Sequence, residues 1–210
     1  LVGHSLGGPY AMVYTQAYGD EVAGLVLVDA THPDQIARLA ATGAPTQMSS
    51  TARNIQGLAA SLQWTGLVRA FANSLGRLPH MPAAADAAMK AYAATSLGPM
   101  LAEADALEAT LAQAGTARNL GQRPLYVLTA MAPFTAEARQ QMGLSAEQAE
   151  QTKRVWWTLH EEAAGWSSRG RHEAVPDANH YIQFEHPDRV VAAVNAVVDA
   201  VRHGDAGLKP

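Results

Sequence analysis

The feature that most limits how this chain can fold is a pair of short, unbroken apolar runs. One is Gly24-Leu25-Val26-Leu27-Val28-Asp29-Ala30, the other Pro124-Leu125-Tyr126-Val127-Leu128-Thr129-Ala130. A strand wet on one face alternates apolar and polar residues. A run without alternation, bounded by turn residues, reads as a strand buried on both faces, as in parallel sheets covered by helices. Arg171 to Val175 reads as a shorter strand, and Leu1-Val2 as the end of another. Helical patterns lie between them. Leu6 to Tyr18 stops at Gly19, a residue type favoured just past a helix end. Ser145 and Gln148 fit a capping box that opens a helix through Trp156, Trp157 and Leu159. Pro187 to His203 places Val190, Val194, Val197, Val198 and Val201 on one side of a last helix. This order predicts an α/β fold: the C-terminal part of a doubly wound, mostly parallel sheet.

No strand-like run occurs from Thr31 to about Gln122. Ile55, Leu58 and Leu62 form one helical stripe, and Met100, Ala104, Leu107 and Leu111 another, with Pro79, Pro82 and Pro99 as punctuation. The expected organisation is therefore a core of residues 1–30 and 122–210 with a helical cap or lid inserted at 31–121. Leu58, Leu62, Trp64, Leu67, Phe71, Met81 and Met100 fit an apolar pocket roof, and equally the mere packing of lid helices.

Gly3-His4-Ser5-Leu6-Gly7 sits where a strand stub gives way to a helix. A serine hydroxyl needs a base to take its proton and must project clear of the backbone. A sharp strand-to-helix turn does the second, with the serine in a strained conformation and glycines two residues either side to avoid clashes. Ser5 is the expected nucleophile, and the Leu6 amide the expected oxyanion donor. The base must come from elsewhere in the fold. Of eight histidines, His180 follows the last strand run and precedes the last helix, which puts it at the carboxyl edge of the sheet. His4 is expected to pack the elbow and His186 to cap a helix. His32, His80, His160, His172 and His203 have no comparable placement. No histidine pair shows metal-ligand spacing on a helix, so no zinc site is expected. The adjacent Trp156 and Trp157 are read as packing residues.

Gly3-His4-Ser5-Leu6-Gly7-Gly8, the two apolar runs and the segment 177–190 (DANHYIQFEHPDRV) together resemble the α/β-hydrolase family. The resemblance covers residues 1–30 and about 122–203, and leaves 31–121 at the place of the family's variable lid. Family members with serine at the elbow resemble esterases, lipases, lactonases and carbon–carbon bond hydrolases, and those with aspartate there resemble dehalogenases and epoxide hydrolases, so Ser5 points away from the latter two. The resemblance implies an acid after the strand at 124–130, yet Met131-Ala132-Pro133-Phe134 follows and holds none. Glu137 is the nearest carboxylate and falls inside the next helix. The family's alternative position is Asp29, 24 residues after Ser5, the span of one helix and one returning strand. Asp29 is the expected acid, against a helix-capping role. Asp34 is the next choice, and Asp177, close to His180, is expected to shape the loop.

These readings imply a serine hydrolase acting on an ester or related acyl bond. The alternatives are acyl transfer or carbon–carbon cleavage on the same triad, or a non-catalytic binding protein of this fold. The substrate is expected to be a moderately apolar small molecule, and no cofactor is implied. With net charge −4 and no Lys/Arg cluster, nucleic acid is not an expected partner. Val190 to Val201, interrupted by Asn195 and Asp199, is too polar to span a membrane. A cysteine-free chain fits either redox compartment, so localisation stays open, with the cytoplasm slightly favoured. Because the chain opens on Leu1-Val2, further strands and a second oxyanion donor are expected ahead of it. The 210 residues alone are therefore expected to be poorly soluble and inactive.

Overall fold

The computed structural model describes residues 1–46, 49–77 and 81–203. Pro79, His80 and the tail from Gly204 lie outside the described residues. Two compact units are present: residues 1–46 with 109–210, and residues 47–108. The first unit thus includes 31–46 and 109–121 as well as the strands.

The first unit is built on a four-stranded sheet in the order β1 (Val2–His4), β2 (Leu25–Val28), β3 (Leu125–Ala130), β4 (Gly170–Val175). All three pairings are parallel. The two apolar runs are central strands, and every residue of β2 and β3 is buried. Both faces of these strands are covered by helices, so neither needs to be polar. Leu25, Leu27, Leu125 and Val127 pack with Ala11 of α1 (Gly7–Ala17) and Ala164 of α7 (Ala146–Ala164). Val26, Val28, Tyr126 and Leu128 pack with Ala193 and Val197 of α9 (Pro187–His203). Burying a leucine of this kind contributes about 1.5–3 kcal/mol, and Leu25, Leu125 and Leu128 are wholly buried. The capping box forms: the Gln148 amide donates to the Ser145 hydroxyl at 3.1 Å, and the Ser145 amide to the Gln148 side chain at 2.9 Å. Leu1 and Val2, at the sheet edge, are exposed.

Parallel strands bring their carboxyl ends to one edge. Ser5 follows β1, Asp29 follows β2, and the loop carrying His180 follows β4. The register pairs His4 with Val28, so the residues after them are neighbours.

The second unit is helical, with α3 (Ser50–Ser61), α4 (Leu67–Ser74) and most of α5 (Ala83–Ala114). Pro99, expected to interrupt a helix, lies inside α5. A proline forfeits one backbone hydrogen bond, and the alanine-rich sequence around it has the highest helix propensity. Leu58, Leu67 and Phe71 are exposed and line an apolar groove of about 550 Å³ within this unit. Among the described residues no helix is long and apolar enough to cross a membrane.

Candidate active site

The chain reverses direction sharply between β1 and α1. Ser5 takes φ 52°, in the left-handed region that a non-glycine residue rarely occupies. Its amide bonds to the Val28 carbonyl at 3.3 Å, and its carbonyl accepts from Gly8 and Thr31. The turn is tight because Gly3 lacks a side chain: a Cβ there would meet the Gly7 carbonyl oxygen at 2.5 Å. The expectation that Gly7 is required for the same reason is not met. A Cβ on Gly7 has nothing within 4 Å, whereas one on Gly8 would sit 2.6 Å from the Ala30 Cβ. The second steric demand therefore comes one residue later, where α1 crosses the end of β2. Leu6 is the N-cap of α1, so the amides from here on belong to the helix's first turn, which lacks intrahelical acceptors.

Asp29 is the other non-glycine residue at positive φ, 41°. Its carboxylate is buried and holds three donors. His180 Nδ1 lies 2.7 Å from Oδ2; the Trp156 indole N–H donates to Oδ1 at 2.9 Å and the Ala130 amide at 3.0 Å. Burial alone would push this carboxyl up. The His180 bond and the other donors outweigh it, holding Asp29 below its ordinary range. Asp34 is engaged elsewhere, its two oxygens held by Arg118 at 2.5 and 2.8 Å. Glu137 is exposed in the first turn of α6 (Ala136–Met142). Of the three carboxylates considered, Asp29 is the one that meets His180.

His180 itself is held from behind. His4 Nε2 bonds to the His180 carbonyl at 2.8 Å, and the two rings are in tilted contact with centroids 4.5 Å apart. Burial keeps the His4 imidazole below its usual pKa. The loop is closed by His186, which caps the short helix Ile182–Glu185 as expected, its amide donating to the Ile182 carbonyl at 2.8 Å and its ring lying 3.3 Å from Asp177, and by Glu185, which accepts from the Asn179 amide at 2.7 Å. Asp177 thus shapes the loop. No hydrogen bond joins the Ser5 hydroxyl to His180 among the described residues; such contacts are often long before substrate binds.

Two groups around Asp29, Trp156 and His160, were not found from the sequence. Trp156 faces the carboxylate while Trp157 stacks on His172, so only the second is purely packing. His160, fully buried beside Trp156, donates from Nε2 to the Ala30 carbonyl, which can only accept. Burial lowers its pKa to about 4, so the ring is neutral and its Nδ1 accepts from the Thr129 hydroxyl at 2.6 Å. An indole or imidazole in a helix signals a buried polar contact but not its partner.

His32, Asp34 and Glu162 also bring potential ligand atoms within 4.8 Å of one another. Arg118 holds Asp34 and Arg38 holds Glu162, so both carboxylates are already neutralised by guanidinium groups.

A doubly wound parallel sheet with a strained serine at its first strand-to-helix turn, and a carboxylate-bound histidine beyond its last strand, defines a hydrolase-fold protein. The chain belongs to the alpha/beta hydrolase family, whose model matches residues 1–193. No curated protein matches it significantly. Family membership fits a hydrolase acting on a small-molecule substrate.

Proposed function

We propose that this protein is a serine hydrolase that cleaves an ester or related acyl bond through Ser5, His180 and Asp29. The observation that carries the reading is the 2.7 Å contact between His180 Nδ1 and the buried Asp29 carboxylate. An ionised carboxylate only accepts, so Nδ1 carries the proton and Nε2 is left as the base. Ser5 Oγ attacks the acyl carbon as its proton passes to His180 Nε2. The oxyanion is stabilised by the Leu6 amide at the start of α1. The imidazolium, stabilised by Asp29, returns the proton to the leaving alcohol. Water then repeats the sequence on the acyl-enzyme and frees Ser5.

A cavity of about 410 Å³ beside His180, lined by Leu39, Phe134, Met142 and Trp156, supports a moderately apolar substrate. Residues 47–108 are read as a cap by their place in the chain between β2 and β3. The test compares p-nitrophenyl butyrate hydrolysis by Asp29→Asn and Asp34→Asn variants of the full-length protein. The expected loss is about 10³–10⁴-fold in kcat for the first, through the wrong histidine tautomer, and within a few-fold for the second. Full activity in Asp29→Asn overturns the assignment.

A further inference from the structure

The cavity beside His180 contains one feature that an ester of two apolar parts does not explain. Lys153, on α7, lines the same wall as Trp156. The residue is half-buried. Nζ donates to the Ala130 carbonyl at 3.2 Å and lies 4.8 Å over the centre of the Phe134 ring. Among the described residues no carboxylate forms an ion pair with it. The nearby Asp29 has both oxygens occupied by His180, Trp156 and Ala130. Burial lowers the Lys153 pKa, although Asp29 and Glu150 pull it the other way from a distance.

An ammonium in apolar surroundings is costly unless it is paired. A carbonyl and an aromatic face meet only part of the need of a group with three donors. Leu39, Ala138 and Met142 around the cavity are apolar, and Thr152 and Asn179, which also line it, bond to Gln148 and Thr42 and to Glu185. The Lys153 donors left over are open to a ligand group that enters the cavity. Lys153 is the one lysine or arginine among the described residues that line the cavity, which suits an acceptor of single negative charge. A phosphate dianion calls for several donors, whereas a carboxylate is matched by one ammonium.

We propose that the cavity beside His180 is a carboxylate-binding subsite, in which Lys153 selects substrates with a short apolar stem ending in a carboxylate. This deepens the proposed function by naming the substrate class of the same site. Lys153 here is a specificity residue and takes no part in the proton transfers.

The experiment separates this inference from the catalytic reading by measuring binding without turnover. Hexanoate and hexanamide, alike in stem and differing in charge at about neutral pH, are titrated calorimetrically into the full-length Ser5→Ala protein. Hexanoate is expected to bind about tenfold or more tightly than the amide, as a charge-assisted bond requires. Ser5→Ala/Lys153→Met is expected to lose that preference, and Ser5→Ala/Lys153→Arg, which retains the charge, to keep most of it. Equal binding of acid and amide to the Ser5→Ala protein overturns the subsite, as does a preference that survives Lys153→Met. Selective binding in a protein that hydrolyses no ester would leave the subsite standing and defeat the serine hydrolase reading alone.

Discussion

Replacing Trp156 with phenylalanine keeps a ring against His160 and removes one donor from Asp29. Hydrogen bonds to charged groups are worth about 1.5–3 kcal/mol. Oδ1 keeps the Ala130 amide at 3.0 Å, so the carboxylate is not stranded and the lower end applies. The expected loss of stability is therefore about 1.5 kcal/mol at neutral pH, and kcat should fall about tenfold as His180 loses its fixed partner. Asp29's folded pKa is depressed, so its contribution to stability is complete above the unfolded value and lost as pH falls through the folded one. Removing a donor raises the folded pKa. The variant should thus begin to acid-unfold at higher pH than the parent protein. Urea unfolding followed by circular dichroism measures the first effect, and acid titration the second. Trp157→Phe is the control: it trims the same atoms from a ring that stacks on His172 at 4.0 Å and makes no bond to Asp29. Equal losses in the two variants would refute the reasoning, since the effect would then be volume and not the bond.

The elbow makes its own prediction: Gly3→Ala, which drives a Cβ into the Gly7 carbonyl, should destabilise by about 1–3 kcal/mol. Gly7→Ala, with open space around the added carbon, should cost less than 0.5 kcal/mol in thermal or urea unfolding. The buried His32 and His160 both have pKa values pushed down to about 4 by burial. In the unfolded chain they protonate near 6.5, so stability is full above that value and falls by about 1.4 kcal/mol per pH unit for each between 6.5 and about 4. His160→Gln should lower the slope in urea unfolding across this window by about 1.4 kcal/mol per pH unit; an unchanged slope would show that His160 does not stay neutral in the fold.

The sheet was legible because Leu25–Val28 and Leu125–Leu128 carry apolar residues at every position, a pattern that only a doubly covered parallel strand tolerates. The edge carrying Ser5, Asp29 and His180 follows from that parallelism, since each lies just beyond a strand's carboxyl end. Asp29 is preferred to Asp34 on sequence position and spacing alone; the structure adds that Asp34 is held by Arg118 and that Asp29 meets His180. The helix through Pro99 was misjudged because a proline's local cost can be offset by the residues around it. Trp156, His160 and Lys153 were out of reach for a related reason. Each lies on α7 with a sound packing explanation, and its partner comes from β2, β3 or the loops beyond them, distant in sequence.

The central claim is that Ser5 is a nucleophile activated by His180. A fluorophosphonate probe, which modifies only activated serines, tests it most directly on the full-length protein. Labelling should be strong in the parent protein, absent in Ser5→Ala and sharply reduced in His180→Ala. Labelling that persists in Ser5→Ala would contradict the account.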